Sequence, residues 1–116
     1  MLIRIDASSS VPLYEQFAAS VRGAIADGSV SPGERLPSAR DLAASLDLNV
    51  HTVLRGYQQL RDDGLIELRR GRGAVVTADA SVRSRLQDAV RGLVSEAKRH
   101  GMSAAELLDL VKKEMS

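Results

Sequence analysis

The sequence predicts a mostly α-helical fold carrying one small β-hairpin, and three observations support that reading. Apolar residues recur at helical spacing in five separate segments. Pro, Ser, Asn and Gly stand at the positions where those helices would start and stop. Between the third and fourth segments lie two short runs of β-formers, 65–69 and 74–77, separated by Arg70-Gly71-Arg72-Gly73.

The chain opens with a short alternation, Leu2 to Ile5, and a polar Ser8-Ser9-Ser10. Pro12 suits the first position of a helix because its missing N–H would be unpaired there anyway. Leu13, Phe17, Val21, Ala24 and Ile25 then repeat helically, and Gly28 supplies a left-handed stop, so the first helix is expected over roughly 12–27. Pro32-Gly33 marks a turn. Ser38 is positioned to cap the second helix, with Asp41 at the reciprocal capping-box position and Leu42 and Leu46 on one side. Asn49 is a strong cap for a third helix that turns Val53, Tyr57 and Leu60 inward and closes at Gly64. Two short helices joined by about three residues outline a helix-turn-helix. The hairpin that follows converts this outline into a winged helix. From Ser81 the chain changes character. Val82, Leu86, Ala89, Val90, Leu93 and Ala97 form one apolar stripe ending behind Lys98-Arg99-His100 and Gly101. Ser103 and Glu106 make a capping box for a last helix with Leu107, Leu108, Leu110, Val111 and Met115. Residues 1–78 are therefore expected to form the winged helix-turn-helix domain, and 79–116 a two-helix C-terminal segment.

The 116 residues suit one modest domain, or a smaller one with an appendage. At 44% hydrophobic and 27% charged the composition is that of a globular chain, and 3% aromatic residues imply an aliphatic core. The absence of cysteine excludes disulfides, thiolate metal sites and cysteine nucleophiles. Met1-Leu2-Ile3-Arg4 lacks the form of a signal peptide and no apolar run could span a bilayer, so the cytoplasm is the expected location and no membrane partner is expected. Net charge is only +1. Through residue 80 there are nine arginines, no lysine and ten carboxylates, so any attraction to a polyanion must be local.

Such local features exist. At about 100° per residue, His51, Arg55 and Gln58 fall on the outward face of the third helix. His51 and Thr52 occupy its first turn, the part that reaches base edges in a recognition helix, with Arg55 a turn further on. Asp62 and Asp63 would repel phosphate, so the N-terminal end should do the reading. Arg40, just inside the second helix, is suited to phosphate or guanine, and Asn49 to a cap or a DNA contact. Three arginines, Arg69, Arg70 and Arg72, with Gly71 and Gly73, place cations on a tip able to approach phosphates or a minor groove. The C-terminal stripe, Val82, Leu86, Val90 and Leu93 with Leu107, Leu108, Leu110 and Val111, either folds back within the chain or meets its copy in a twofold dimer. Catalysis has little support, and a small hydrolase or metal enzyme is the remoter alternative: His51 and His100 lie on different modules, there is no Gly-x-Ser-x-Gly or His-Glu-x-x-His, and no phosphate-binding fingerprint completes Gly71-x-Gly73.

Four segments, in order and correctly spaced, resemble the winged-helix region of GntR-family regulators: Ser31 to Ala43, Asn49-Val50-His51-Thr52-Val53, Asp63-Gly64-Leu65-Ile66 and Arg70-Gly71-Arg72-Gly73. Pro12-Leu13-Tyr14-Glu15-Gln16 also fits. A tail of about 38 residues with two helices is similar to the YtrA-type branch, which lacks a separate effector domain. The resemblance implies a cytoplasmic homodimer that binds a palindromic operator and represses its own operon, often beside ABC-transporter genes. It names no small-molecule effector. Family DNA contacts carry over to Arg40, Asn49, His51, Thr52, Arg70, Gly71, Arg72 and Gly73. Many relatives have Asn-Pro-Asn-Thr where this chain has Asn49-Val50-His51-Thr52, so only the docking geometry transfers. The rival reading is a winged helix whose basic wing binds an acidic protein partner.

Overall fold

The computed structural model describes residues 1–116 and contains five helices and one two-stranded antiparallel sheet. The order is α1 (Leu13–Ala26), α2 (Ala39–Leu46), α3 (Val50–Asp62), β1 (Ile66–Arg69), β2 (Gly73–Val76), α4 (Ala80–Arg99) and α5 (Ala104–Met115). Packing divides the chain into two units, Met1–Arg85 and Leu86–Ser116, so the first unit extends past residue 78 into α4. The reason is burial: Ala80 and Ser84 are fully covered, and the Ser84 hydroxyl donates to the Arg22 carbonyl of α1 at 3.1 Å.

In the first unit, α1, α2 and α3 enclose a core of Phe17, Val21, Ile25, Leu42, Val53, Tyr57 and Leu60, completed by Leu65, Ile66 and Val76 of the hairpin region. As expected, the core is largely aliphatic, and its aromatic pair, Phe17 and Tyr57, meets with ring centroids 5.6 Å apart. Pro12 serves as the N-cap of α1 rather than its first helical residue, its carbonyl accepting from Glu15 and Gln16. Leu13, assigned to the buried face by spacing, is 37% exposed at the first position of α1.

The caps at α2 and α3 follow the sequence in part. Ser38 Oγ accepts from the Asp41 N–H at 3.1 Å, the forward half of a capping box, whereas Ser103 and Glu106 make both halves at α5. The Asp41 side chain is one carbon shorter than a glutamate and does not complete the return bond. Between α2 and α3 the turn is Asp47-Leu48-Asn49. Asp47 adopts a left-handed conformation, φ +54, and the Leu48 N–H reaches the Ala43 carbonyl at 2.9 Å, closing α2 in a Schellman arrangement.

In the hairpin Arg69 pairs with Gly73 and Ile66 with Val76. Gly73 is thus the first residue of β2, and the loop is Arg70-Gly71-Arg72. The Arg72 N–H donates to the Arg69 carbonyl at 3.1 Å, and Gly71 takes φ +79, the sign a type II turn demands at its third position. A third extended segment flanks β2: the Gly33 N–H donates to the Val76 carbonyl at 2.8 Å and the Leu36 N–H to the Ala74 carbonyl at 2.9 Å. Pro32-Gly33 had signalled only a turn there. The wing is therefore braced on its β2 side.

The second unit is a helix hairpin. At its corner the Met102 N–H donates to the Ala97 carbonyl at 2.9 Å, the 6→1 bond that closes a helix over Gly101. No residue of α5 is buried. None of the helices is long and apolar enough to cross a membrane.

Candidate nucleic-acid interface

The outward residues of the helix-turn-helix are where the sequence places them. His51 and Arg55 are exposed one turn apart on α3, Gln58 is exposed beyond them, and Thr52 is half-buried. Asn49 is engaged as the cap, its Oδ1 accepting from the His51 N–H at 2.8 Å. That bond satisfies an otherwise orphaned donor and sets the start of α3, so Asn49 holds His51 and Thr52 at the helix tip. Arg40 is exposed in the first turn of α2.

The α3 helix is locked from beneath. Val53 and Leu60 are fully buried, and the Tyr57 hydroxyl donates to the Pro37 carbonyl at 2.6 Å. This bond ties α3 to the segment that leads into α2. Burial pushes the Tyr57 hydroxyl up to about 12, which keeps it a donor throughout the physiological range. Gly56 allows α1 to approach α3 closely, with Phe17 filling the place a side chain would take.

The arginines divide by partner. In the first unit Arg22 pairs with Asp63, Arg61 with Asp62, Arg69 with Glu67 and Arg83 with Asp79, whereas Arg4, Arg35, Arg40, Arg55, Arg70, Arg72 and Arg85 form no ion pair. Of the predicted DNA-binding arginines, Arg69 is thus held along its own strand by Glu67, at 2.8 Å. Arg70 and Arg72 stand exposed at the tip, flanking Gly71. Asp63, expected to mark where the reading end stops, faces Arg22 of α1 at 3.5 Å.

The start of α2, the middle of α3 and the base of the wing line one cleft of about 380 Å³, with Ala39, Leu54, Tyr57, Leu68, Arg70 and Ala74 among its walls. The recognition helix and wing therefore flank a common opening. Sequence spacing left two residues unassigned: Leu54, 42% exposed on α3 and part of this cleft, and, outside the cleft, Tyr14 of α1, on whose ring Arg55 lies. Leu54 could have been found by projecting the helix. Tyr14 carried no such signal, because its partner is 41 residues away.

On the C-terminal helices the predicted apolar row is uncovered in the chain. Val82, Leu86, Val90 and Leu93 are between 44% and 61% exposed, Leu108, Leu110 and Val111 are exposed, and Leu107 is half-buried. Ala97, at the corner of the hairpin, is buried.

A helix-turn-helix with a braced wing and arginines without carboxylate partners on both has the architecture of a DNA-binding transcription regulator. Residues 13–76 match the family model of bacterial regulatory proteins of the gntR family, and the chain belongs to that family. It is 31% identical to the HTH-type transcriptional repressor YtrA of Bacillus subtilis over 96% of this chain and 90% of that one. Among solved structures, YtrA from Sulfolobus acidocaldarius, a GntR-family transcription factor, is 33% identical with a TM-score of 0.69, covering 85% of this chain and 99% of that one. A GntR family transcriptional regulator from Listeria monocytogenes is 27% identical with a TM-score of 0.66, covering 94% and 98%. The likeness runs through the tail, which places the chain in the short, YtrA-type branch.

Proposed function

We propose that the chain acts in the cytoplasm as a homodimer that binds a short palindromic operator and represses transcription of its own operon, with ABC-transporter genes among its targets. One observation carries the DNA reading: Arg40 on α2 and Arg70 and Arg72 at the wing tip stand exposed without carboxylate partners on either side of the recognition helix, whereas Arg61 at the far end of that helix is paired with Asp62. Arg40 and the wing position the protein on phosphates, and His51, Thr52 and Arg55 specify the bases. The uncovered row on α4 and α5 supports the dimer, since a twofold contact buries apolar surface without further chain. A relative described as a repressor supports the sign of regulation.

Selection of binding sites from genomic fragments tests the reading. The expected result is enrichment of a palindrome, lost on Arg40→Ala. Enrichment no greater than non-specific binding would instead favour a wing that docks on an acidic protein.

A further inference from the structure

Among the arginines of α3, Arg55 is the one held by a residue of another helix, Tyr14 of α1. Its guanidinium carbon lies 4.0 Å from the centroid of the Tyr14 ring. Its Nη2 donates to the Tyr14 hydroxyl at 3.5 Å, and that hydroxyl donates to Glu15 Oε1 at 3.1 Å. The hydroxyl proton is thus taken by Glu15, leaving oxygen lone pairs to accept from Arg55. No carboxylate pairs with Arg55 itself, unlike Arg22, Arg61, Arg69 and Arg83.

This arrangement has a chemical consequence. All five N–H donors of a guanidinium lie in its plane, whereas stacking on an aromatic ring uses its face. With one Nη2 N–H given to the Tyr14 hydroxyl, one of the two edge forks of the Arg55 guanidinium remains available to a bidentate acceptor while the group is held over the ring. The rotamer freedom that an arginine ordinarily gives up on binding has already been given up here in the free protein. We propose that Tyr14, on α1, is a positioning residue for DNA recognition, presenting the Arg55 guanidinium edge-on to a bidentate acceptor, either the O6/N7 edge of a guanine or the oxygens of a phosphate. The proposal rests on the operator-binding reading above and adds to the reading surface a residue from outside the helix-turn-helix.

The test uses the full chain and the DNA fragment most enriched by the wild-type protein. Tyr14→Ala should weaken binding about five- to thirty-fold, the range for loss of a cation–π contact in each half of a dimer, whereas Tyr14→Phe, which keeps the ring, should stay within about two-fold. Tyr14→Ala in the Arg55→Ala background should cost nothing more, and Arg55→Lys, with charge but no planar fork, should lose as much as Arg55→Ala. A guanine contact predicts that 7-deazaguanine at one position per half-site weakens wild type but not Arg55→Ala. A phosphate contact predicts that Arg55→Ala lowers the log–log salt slope by about two per dimer. Equal loss from Tyr14→Ala in both backgrounds would mark a merely structural role and overturn the proposal. So would an unchanged affinity of Tyr14→Ala, full affinity of Arg55→Lys, or absence of both the base and the salt effect. If wild type enriches no fragment, the operator reading fails and this proposal with it; an operator bound equally well by Tyr14→Ala sinks the proposal alone.

Discussion

Gly56 sits in the middle of a helix, where glycine costs about 1 kcal/mol relative to alanine, so a packing reason must offset that cost. A Cβ built there would lie 2.3 Å from Phe17 Cδ2 and 3.3 Å from the Tyr14 carbonyl oxygen. Phe17 is fully buried against Tyr57 and cannot swing away. Gly56→Ala should therefore destabilise the fold by about 1–2 kcal/mol despite its better helix propensity, visible as a lower urea midpoint at unchanged slope; a raised midpoint would contradict the packing. Tyr57 gives a second expectation at this scale. Its folded pKa is raised to about 12 from 10.0, so the contribution of the neutral hydroxyl is fully present below pH 10 and is lost as pH rises through about 12, on the order of 2–3 kcal/mol. Tyr57→Phe should cost about 1–2 kcal/mol at neutral pH, because the Pro37 carbonyl loses its donor. Its stability measured against pH should lack the wild-type fall between pH 10 and 12. The inward direction of Tyr57 was legible from spacing; the carbonyl it bonds was not, since Pro37 belongs to a different element.

Among the elements, the short turn between α2 and α3 sets where the recognition helix points. Asp47 closes α2 in a left-handed conformation that costs an L-residue roughly 1–2 kcal/mol, and it places a negative charge at the negative end of a helix. Asp47→Gly should raise stability by about 0.5–1 kcal/mol while leaving DNA affinity unchanged, as thermal melts and operator titration would reveal. A loss of stability would mean that the Asp47 side chain supports the turn in a way its geometry does not suggest. The wing makes the complementary point. Its turn was readable from Arg70-Gly71-Arg72-Gly73, but the bracing of β2 by residues 33–36 was not, because that pairing joins segments nearly 40 residues apart and leaves no local periodicity.

For the whole molecule, the uncovered row on α4 and α5 is the feature with the largest expected consequence. Leu86→Glu combined with Leu93→Glu should convert a dimer into monomers by light scattering and weaken operator binding, since paired recognition helices read half-sites about one helical turn apart. A dimer of about eight phosphate contacts should show a log–log salt slope of about −7, and the monomer about half of that. A flat salt dependence would remove the electrostatic part of the proposed function. An unchanged mass for the double variant would place the dimer contact elsewhere or show that none exists.

Taken alone, the sequence determined the five helices, the Ser38, Asn49 and Ser103 caps, the existence of the hairpin and the exposed identity of Arg40, His51 and the wing arginines. These depend on local periodicity, capping chemistry and backbone sterics, which act within a few residues. The tertiary structure decided which arginines are neutralised, that Gly56 is a seat for Phe17, that α4 enters the first unit as far as Arg85 and that Arg55 rests on Tyr14. Each of these depends on side chains brought together from distant segments, and the direction of one helix against another is set by the packed core as a whole rather than by the spacing within either helix.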